Sequence, residues 1–137
     1  MTLLRPAAPG PSIIACNSCR PAADAGEDGD GASGGARLAE ALRGIQAADP
    51  RYAVLAIEEM PCLFACAEHC AVHLRAPGKI GYVLGRFCPD EDAARAILDY
   101  ALAYAGSTDG DVPYRAWPEG VKGHFLVRIP PQGFLVA

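Results

Sequence analysis

The sequence predicts an α/β fold in which one mixed β-sheet carries two helices. Two stretches, 36–47 and 91–105, repeat apolar residues at helical spacing. Short apolar runs of strand length lie before, between and after them. The length, 137 residues, suits one domain with a single core.

Residues 1–11 are rich in Pro and Ala and predict a loose arm. Ser12–Ala15 reads as a short buried strand that ends at Cys16. Residues 20–35 combine Pro21, the acids Glu27, Asp28 and Asp30 and several glycines, which predicts a long flexible loop. A helix follows over Ala36–Ala47. Its Leu38, Leu42 and Ile45 share one face, and Arg37, Glu40 and Arg43 point elsewhere. Asp49-Pro50 ends it.

Tyr52–Glu58 reads as a strand, and its run from Ala53 to Ile57 is apolar on both faces, as in a central strand. Ala71–Arg75 and Lys79–Gly85 predict a hairpin joined through Pro77-Gly78, where Gly supplies the positive φ of a type II turn. The second helix starts at Pro89-Asp90-Glu91-Asp92, with acids at its positive end. Ala94, Ile97, Leu98, Ala101 and Ala105 form its apolar stripe, and Gly106 ends it. One more strand is expected at His124–Ile129, stopped by Pro130-Pro131. The organisation is therefore an arm (1–11), a domain (12–106) and a C-terminal extension packing on it (107–137). The order β-α-β, cysteine loop, β-β-α is that of the thioredoxin core, with a right-handed first crossover.

The formal charge is −4 and no basic patch stands out, which argues against nucleic acid as a partner. No apolar run approaches the roughly 18 residues of a membrane span, and the start lacks the apolar core of a signal peptide. The protein is expected to be cytoplasmic. In that compartment clustered cysteines more often bind metal or do redox work than form structural disulfides.

The chain has six cysteines, five of them in two clusters: Cys16 and Cys19, then Cys62, Cys66 and Cys70. Each cluster follows a predicted strand, so the topology brings both to one end of the sheet. Thiolates presented from two loops are what a tetrahedral metal or an iron–sulfur cluster needs. The spacing fits a four-thiolate zinc site as well as a 2Fe–2S cluster.

These motifs carry a resemblance. A Cys after the first strand, Cys62-Leu-Phe-Ala-Cys66, the hairpin with Gly81-Tyr82-Val83 and the helix start Pro89–Ala94 resemble the thioredoxin-like 2Fe–2S ferredoxins. The chain is still more similar to a family of short bacterial predicted metal-binding proteins of unknown function. That family's elements are Cys16–Arg20, Cys62–Cys70, Ala76–Lys79, Tyr82 and Arg128–Pro131 here, spanning residues 13–131. The resemblance implies a 2Fe–2S electron carrier held by Cys16 and/or Cys19 with Cys62 and Cys66, and Cys70 as the alternate ligand. It also implies a redox partner protein, a homodimer and a cobalamin or metal-related pathway. One departure is the Cys-x-x-Cys start, because the ferredoxins space their first two ligands much further apart.

The alternative is a zinc-binding structural or trafficking module. A thiol–disulfide protein using Cys16 and Cys19 comes third, since no helix directly follows Cys16 to activate it. Cys88 reads as a semi-buried thiol at a helix entrance. His69 and His73 read as ordinary polar residues, the rival reading for His69 being a hydrogen bond donated to a cluster sulfur. His124 has no visible partner. Arg20, Arg75, Lys79 and Arg86 read either as cations that gather near the cysteine end and offset its negative charge or as solvated surface charges, the latter favoured for Arg86. Tyr82 and Trp117 read as core or rim aromatics. Dinucleotide, P-loop, nucleophile-elbow and zinc-protease motifs are absent, so the expected protein is an electron carrier or metal binder, not an enzyme.

Overall fold

The computed structural model describes residues 3–18, 34–65 and 68–137. Its elements are β1 (Ser12–Cys16), α1 (Gly34–Ala48), β2 (Ala56–Met60), β3 (Val72–Arg75), β4 (Gly81–Leu84), α2 (Glu91–Gly106) and β5 (Phe125–Ile129). Most of the expected loop 20–35 lies outside the described residues, and its last two, Gly34 and Gly35, open α1 as buried residues.

The sheet runs β2-β1-β3-β4-β5. β1 pairs in parallel with β2 and antiparallel with β3, and the β3–β4 and β4–β5 pairs are antiparallel. The predicted hairpin joins β3 to β4: the Lys79 N–H donates to Ala76 O at 3.2 Å and Gly78 has φ +72°. Both helices pack on one face of the sheet. Ile13 and Ala15 of β1, Val72 and Leu74 of β3 and Leu84 of β4 meet Leu38 and Leu42 of α1 and Ile97 and Leu98 of α2 in one buried core. The start of α2 is fixed by Asp90, whose carboxylate accepts the Ala93 N–H at 2.9 Å. Loss of such a cap costs about 1 kcal/mol.

β2 departs from the sequence expectation twice. The apolar residues Tyr52–Val54 are not strand but part of a 3₁₀ turn over Pro50–Val54, capped by Asp49. Pro50 sets the turn's first φ, and Tyr52 is buried with its hydroxyl donating to Asp99 Oδ1 at 2.5 Å. The strand that follows lies at the sheet edge, not its centre, and all five of its residues are half-buried. Beside it, Arg5 donates to Glu59 O at 2.6 Å and the Ala8 N–H donates to Glu58 Oε1 at 3.1 Å.

At the opposite edge, β5 adds to β4 with a register shift between Val83 and Leu84. The shift turns Phe125 toward the core, where it packs on Trp117 (ring centroids 4.4 Å apart) and on Tyr100 (5.2 Å). The Trp117 indole N–H is satisfied by Val112 O at 2.9 Å. Tyr82 is buried and stands edge-on to Tyr100, Tyr104 and Phe125.

Candidate metal centre

The strand directions place the ends of β1, β2 and β4 and the starts of β3 and β5 at one end of the sheet. Cys16, the last residue of β1, is opposite Met60, the last residue of β2. Its own N–H donates to Ala71 O at 3.1 Å, and the Asn17 N–H donates to Met60 O at 2.9 Å. The chain leaving β2 then runs through Pro61 to Cys62. Cys16 Sγ lies 4.0 Å from Pro61 O and 3.7 Å from the Ser18 hydroxyl, which itself donates to Pro61 O. The first and second cysteine loops are thus joined by hydrogen bonds at the position where the sequence predicts that they meet.

Cys62 is half-buried, and the Phe64 N–H donates to its Sγ at 3.2 Å. An amide directed at sulfur is the arrangement that stabilises a metal-bound thiolate and tunes a cluster's potential. To make it, Phe64 adopts φ +58° with its ring almost wholly exposed. Left-handed backbone is uncommon in a bulky residue.

The far side of this loop rests on the end of β4. The Arg86 N–H donates to both Glu68 O (2.5 Å) and His69 O (2.8 Å). Arg86 Nε also pairs with Glu68 Oε2 at 2.6 Å, with Arg86 about half exposed and Glu68 partly buried. Gly85 lets the strand come this close: a Cβ there would lie 2.9 Å from Glu68 O. His124, which has no visible partner in sequence, bonds through Nδ1 to Gly85 O at 2.8 Å and stacks on Phe87 at 4.3 Å. Of these supports the sequence points to Arg86, as a cation read near the cysteine end, and to Gly85, a glycine closing a strand; Glu68 and His124 are not legible as site residues.

The described cysteines take different places. Cys16 is fully buried in a small cluster with Ala71, against which Leu63 and Ala65 pack. Cys70 is equally buried but belongs to the main core, with Ile13, Ala15 and Val72. Strand alternation explains the split, because Ile13 and Ala15 face the helices and Cys16 faces away from them. Cys88 is exposed. Cys19 and Cys66 lie outside the described residues, as does Arg20. Among the described residues no three His, Cys, Asp or Glu side chains gather closely enough to hold a metal ion.

The reading that gathers these cations at the cysteine end is corrected for two of them. Arg75 is opposite Ser12, at the far end of the sheet, because β3 runs away from the cysteine loops. Lys79 is also at that end, where its ammonium donates to Ala105 O at 2.6 Å at the C-terminus of α2. Arg86 alone of the described three stands at the cysteine end. Near Asn17, hydrogen bonding from Arg43 holds Glu59 below the ordinary carboxylate range. Burial, aided by Arg75, pushes His73 below its ordinary value.

The donor chemistry fits a thiophilic centre. Cys16 and Cys62 come from adjacent loops, an amide is directed at one sulfur, and Nδ1 of His69 is buried without a hydrogen-bond partner among the described residues. No described helix is long and apolar enough to cross a membrane.

A family model described as "Protein of unknown function (DUF1636)" matches residues 13–131. No curated protein matches the chain. The chain is similar to a solved thioredoxin-like [2Fe-2S] ferredoxin from Aquifex aeolicus, with 17% identity and a TM-score of 0.56, over 93% of this chain and 100% of that one. A second structure, of the wild-type ferredoxin from the same organism, is 20% identical with a TM-score of 0.49, over 69% and 87% of the two chains. At such identity the first likeness shows the fold alone. That fold is thioredoxin-like, as the element order predicts.

Proposed function

Since the chain belongs to the DUF1636 family of proteins of unknown function, we propose a role for it from its own residues: a small electron carrier with a 2Fe–2S cluster. The observation that carries this reading is the meeting of Cys16 with the Cys62 loop, where the Phe64 amide already bonds to Cys62 Sγ. Cys16 and Cys19 from the first loop, with Cys62 and Cys66 from the second, would supply the four thiolates. Cys70, in the helix-side core, is left as a packing residue. The ferredoxin named among the similar structures supports the choice of cluster over zinc.

When bound, the cluster supplies one-electron chemistry. The chain's own contribution is ligation, exclusion of water by Leu63, Ala65 and Ala71, and hydrogen bonds to sulfur. A redox protein partner would dock at this end of the sheet, where Phe64 is exposed.

The test is an absorption spectrum of anaerobically purified protein together with elemental analysis. Visible bands with about two irons and two sulfides per chain support the proposal. A colourless protein with about one zinc per chain replaces it with a closed structural or trafficking site. A colourless protein that takes up neither metal on reconstitution returns thiol chemistry at Cys16 and Cys19 to the front.

A further inference from the structure

Nδ1 of His69 is the one buried side-chain nitrogen or oxygen among the described residues that meets no hydrogen-bond partner. Such an atom destabilises a fold, so native proteins seldom keep one without a reason. The backbone around it is also costly to hold. His69 has φ +21° and Cys70 has φ +48°, both non-glycine residues in the left-handed region. The Arg86 N–H clamps the segment by bonding to Glu68 O and His69 O. The loop is therefore held in a strained form that leaves a polar atom unsatisfied, on the same β2–β3 connection that carries Cys62.

We infer that the missing partner is the metal centre, and that His69 donates its Nδ1–H to one of the centre's sulfurs. The inference rests on the ferredoxin reading above and adds a positioning residue to it. A neutral imidazole offers either an N–H or a lone pair at Nδ1. Four cysteines already complete the ligand set, which leaves the N–H role. Metal-bound sulfur is electron-rich, and its acceptor strength grows when the cluster gains an electron. The hydrogen bond thus favours the reduced state and raises the potential.

The test compares His69→Leu, His69→Asn and His69→Gln. Asn places an amide nitrogen near the position of Nδ1 and tolerates left-handed backbone, whereas Gln carries its nitrogen further out. Two readouts are used: the midpoint potential from a redox titration and the rate of metal release to a chelator. H69N is expected to match wild type. H69L and H69Q are expected to shift the redox equilibrium toward the oxidised form by about tenfold, roughly 59 mV for one electron. They are also expected to release metal about 10- to 100-fold more readily. Metal-free H69L should unfold no earlier than metal-free wild type, which separates this role from a structural one.

If the iron-loaded wild type and H69L share one potential and one release rate, the inference fails and the ferredoxin reading stands. Nitrogen ligation seen by pulsed electron paramagnetic resonance, and lost in H69L, makes His69 a ligand and overturns the donor role. If wild type carries zinc and no iron, the ferredoxin reading fails and the chelator assay decides the inference. Faster zinc release by H69L, restored in H69N, sustains it, and unchanged release overturns it. A wild type that holds no metal after reconstitution overturns both.

Discussion

Gly85 is where β4 touches the second cysteine loop, and Gly85→Ala measures how tightly the two are joined. A Cβ at this position would lie 2.8 Å from Leu126 Cδ1, 2.9 Å from Glu68 O and 3.2 Å from Glu68 Cβ. Carbon contacts are comfortable only at about 3.5–4.0 Å. Leu126 is half-buried and has rotamers to turn to. Glu68 O is fixed by the Arg86 N–H at 2.5 Å, so the loop backbone itself must move. Overpacking of this kind costs about 1–3 kcal/mol. At about 4 °C per kcal/mol for a chain of this size, the midpoint of thermal unfolding falls by roughly 4–12 °C. The assay is circular dichroism of metal-free protein, so that metal binding adds nothing to stability. Gly44→Ala is the control: it lies in exposed helix with nothing within 4 Å of an added Cβ. It should gain about 0.5–1 kcal/mol. Adding Leu126→Ala to G85A should recover only part of the loss, because the contact with Glu68 O remains. An unchanged midpoint in G85A, or full recovery in the double variant, refutes the fixed-loop argument.

Serine at Cys62 or Cys66 should abolish cofactor retention, whereas Cys88→Ser should retain it, as read by iron and sulfide content; full metal in Cys62→Ser would show the ligand assignment to be wrong. Cys70→Ala should keep its iron and lose about 1 kcal/mol of stability, the cost of a small core truncation, measured by urea unfolding. His73 has its folded pKa below the ordinary 6.5 because burial disfavours the imidazolium. Below pH 6.5 the unfolded chain therefore binds more protons than the folded one, and stability falls on acidification toward the folded pKa. The loss between pH 7 and pH 5 should be smaller in His73→Gln, and equal losses would refute this. Tyr52→Phe removes a hydrogen bond to the Asp99 carboxylate and should cost about 1–2 kcal/mol, seen as a lower urea midpoint.

Local chemistry made much of the fold legible. The spacing of Leu38, Leu42 and Ile45 marks the buried face of α1, Asp90 caps α2, and Pro77-Gly78 turns the hairpin. The misreadings fall where distant contacts decide. Tyr52–Val54 has strand-like side chains, but a capped Pro50 turn and a bond to Asp99, far along the chain, make it a 3₁₀ turn. An apolar run on both faces suggests a central strand, but β2 is an edge whose neighbour beyond is the segment carrying Arg5 and Ala8. Cys16 and Cys70 look alike in sequence. Their assignment to different clusters depends on strand alternation and on the left-handed residues at 69 and 70, which spacing does not reveal. Arg75 and Lys79 lie at the far end of the sheet because β3 runs away from the cysteine loops, a direction that charge spacing along the chain does not carry.

The pairing of β5 with β4 has a consequence for how the chain is made. Until Phe125–Ile129 emerges, β4 presents an open edge, and the neighbouring core lacks Phe125 and Trp117. Unpaired edges next to apolar surface invite pairing with other chains. At about 5–20 residues per second, the segment from Leu84 to Phe125 takes roughly 2–8 s to synthesise. A nascent chain therefore spends seconds with its sheet unfinished while both cysteine loops have already been made. Chaperone contact is expected to concentrate in that interval, and release to coincide with arrival of the last strand.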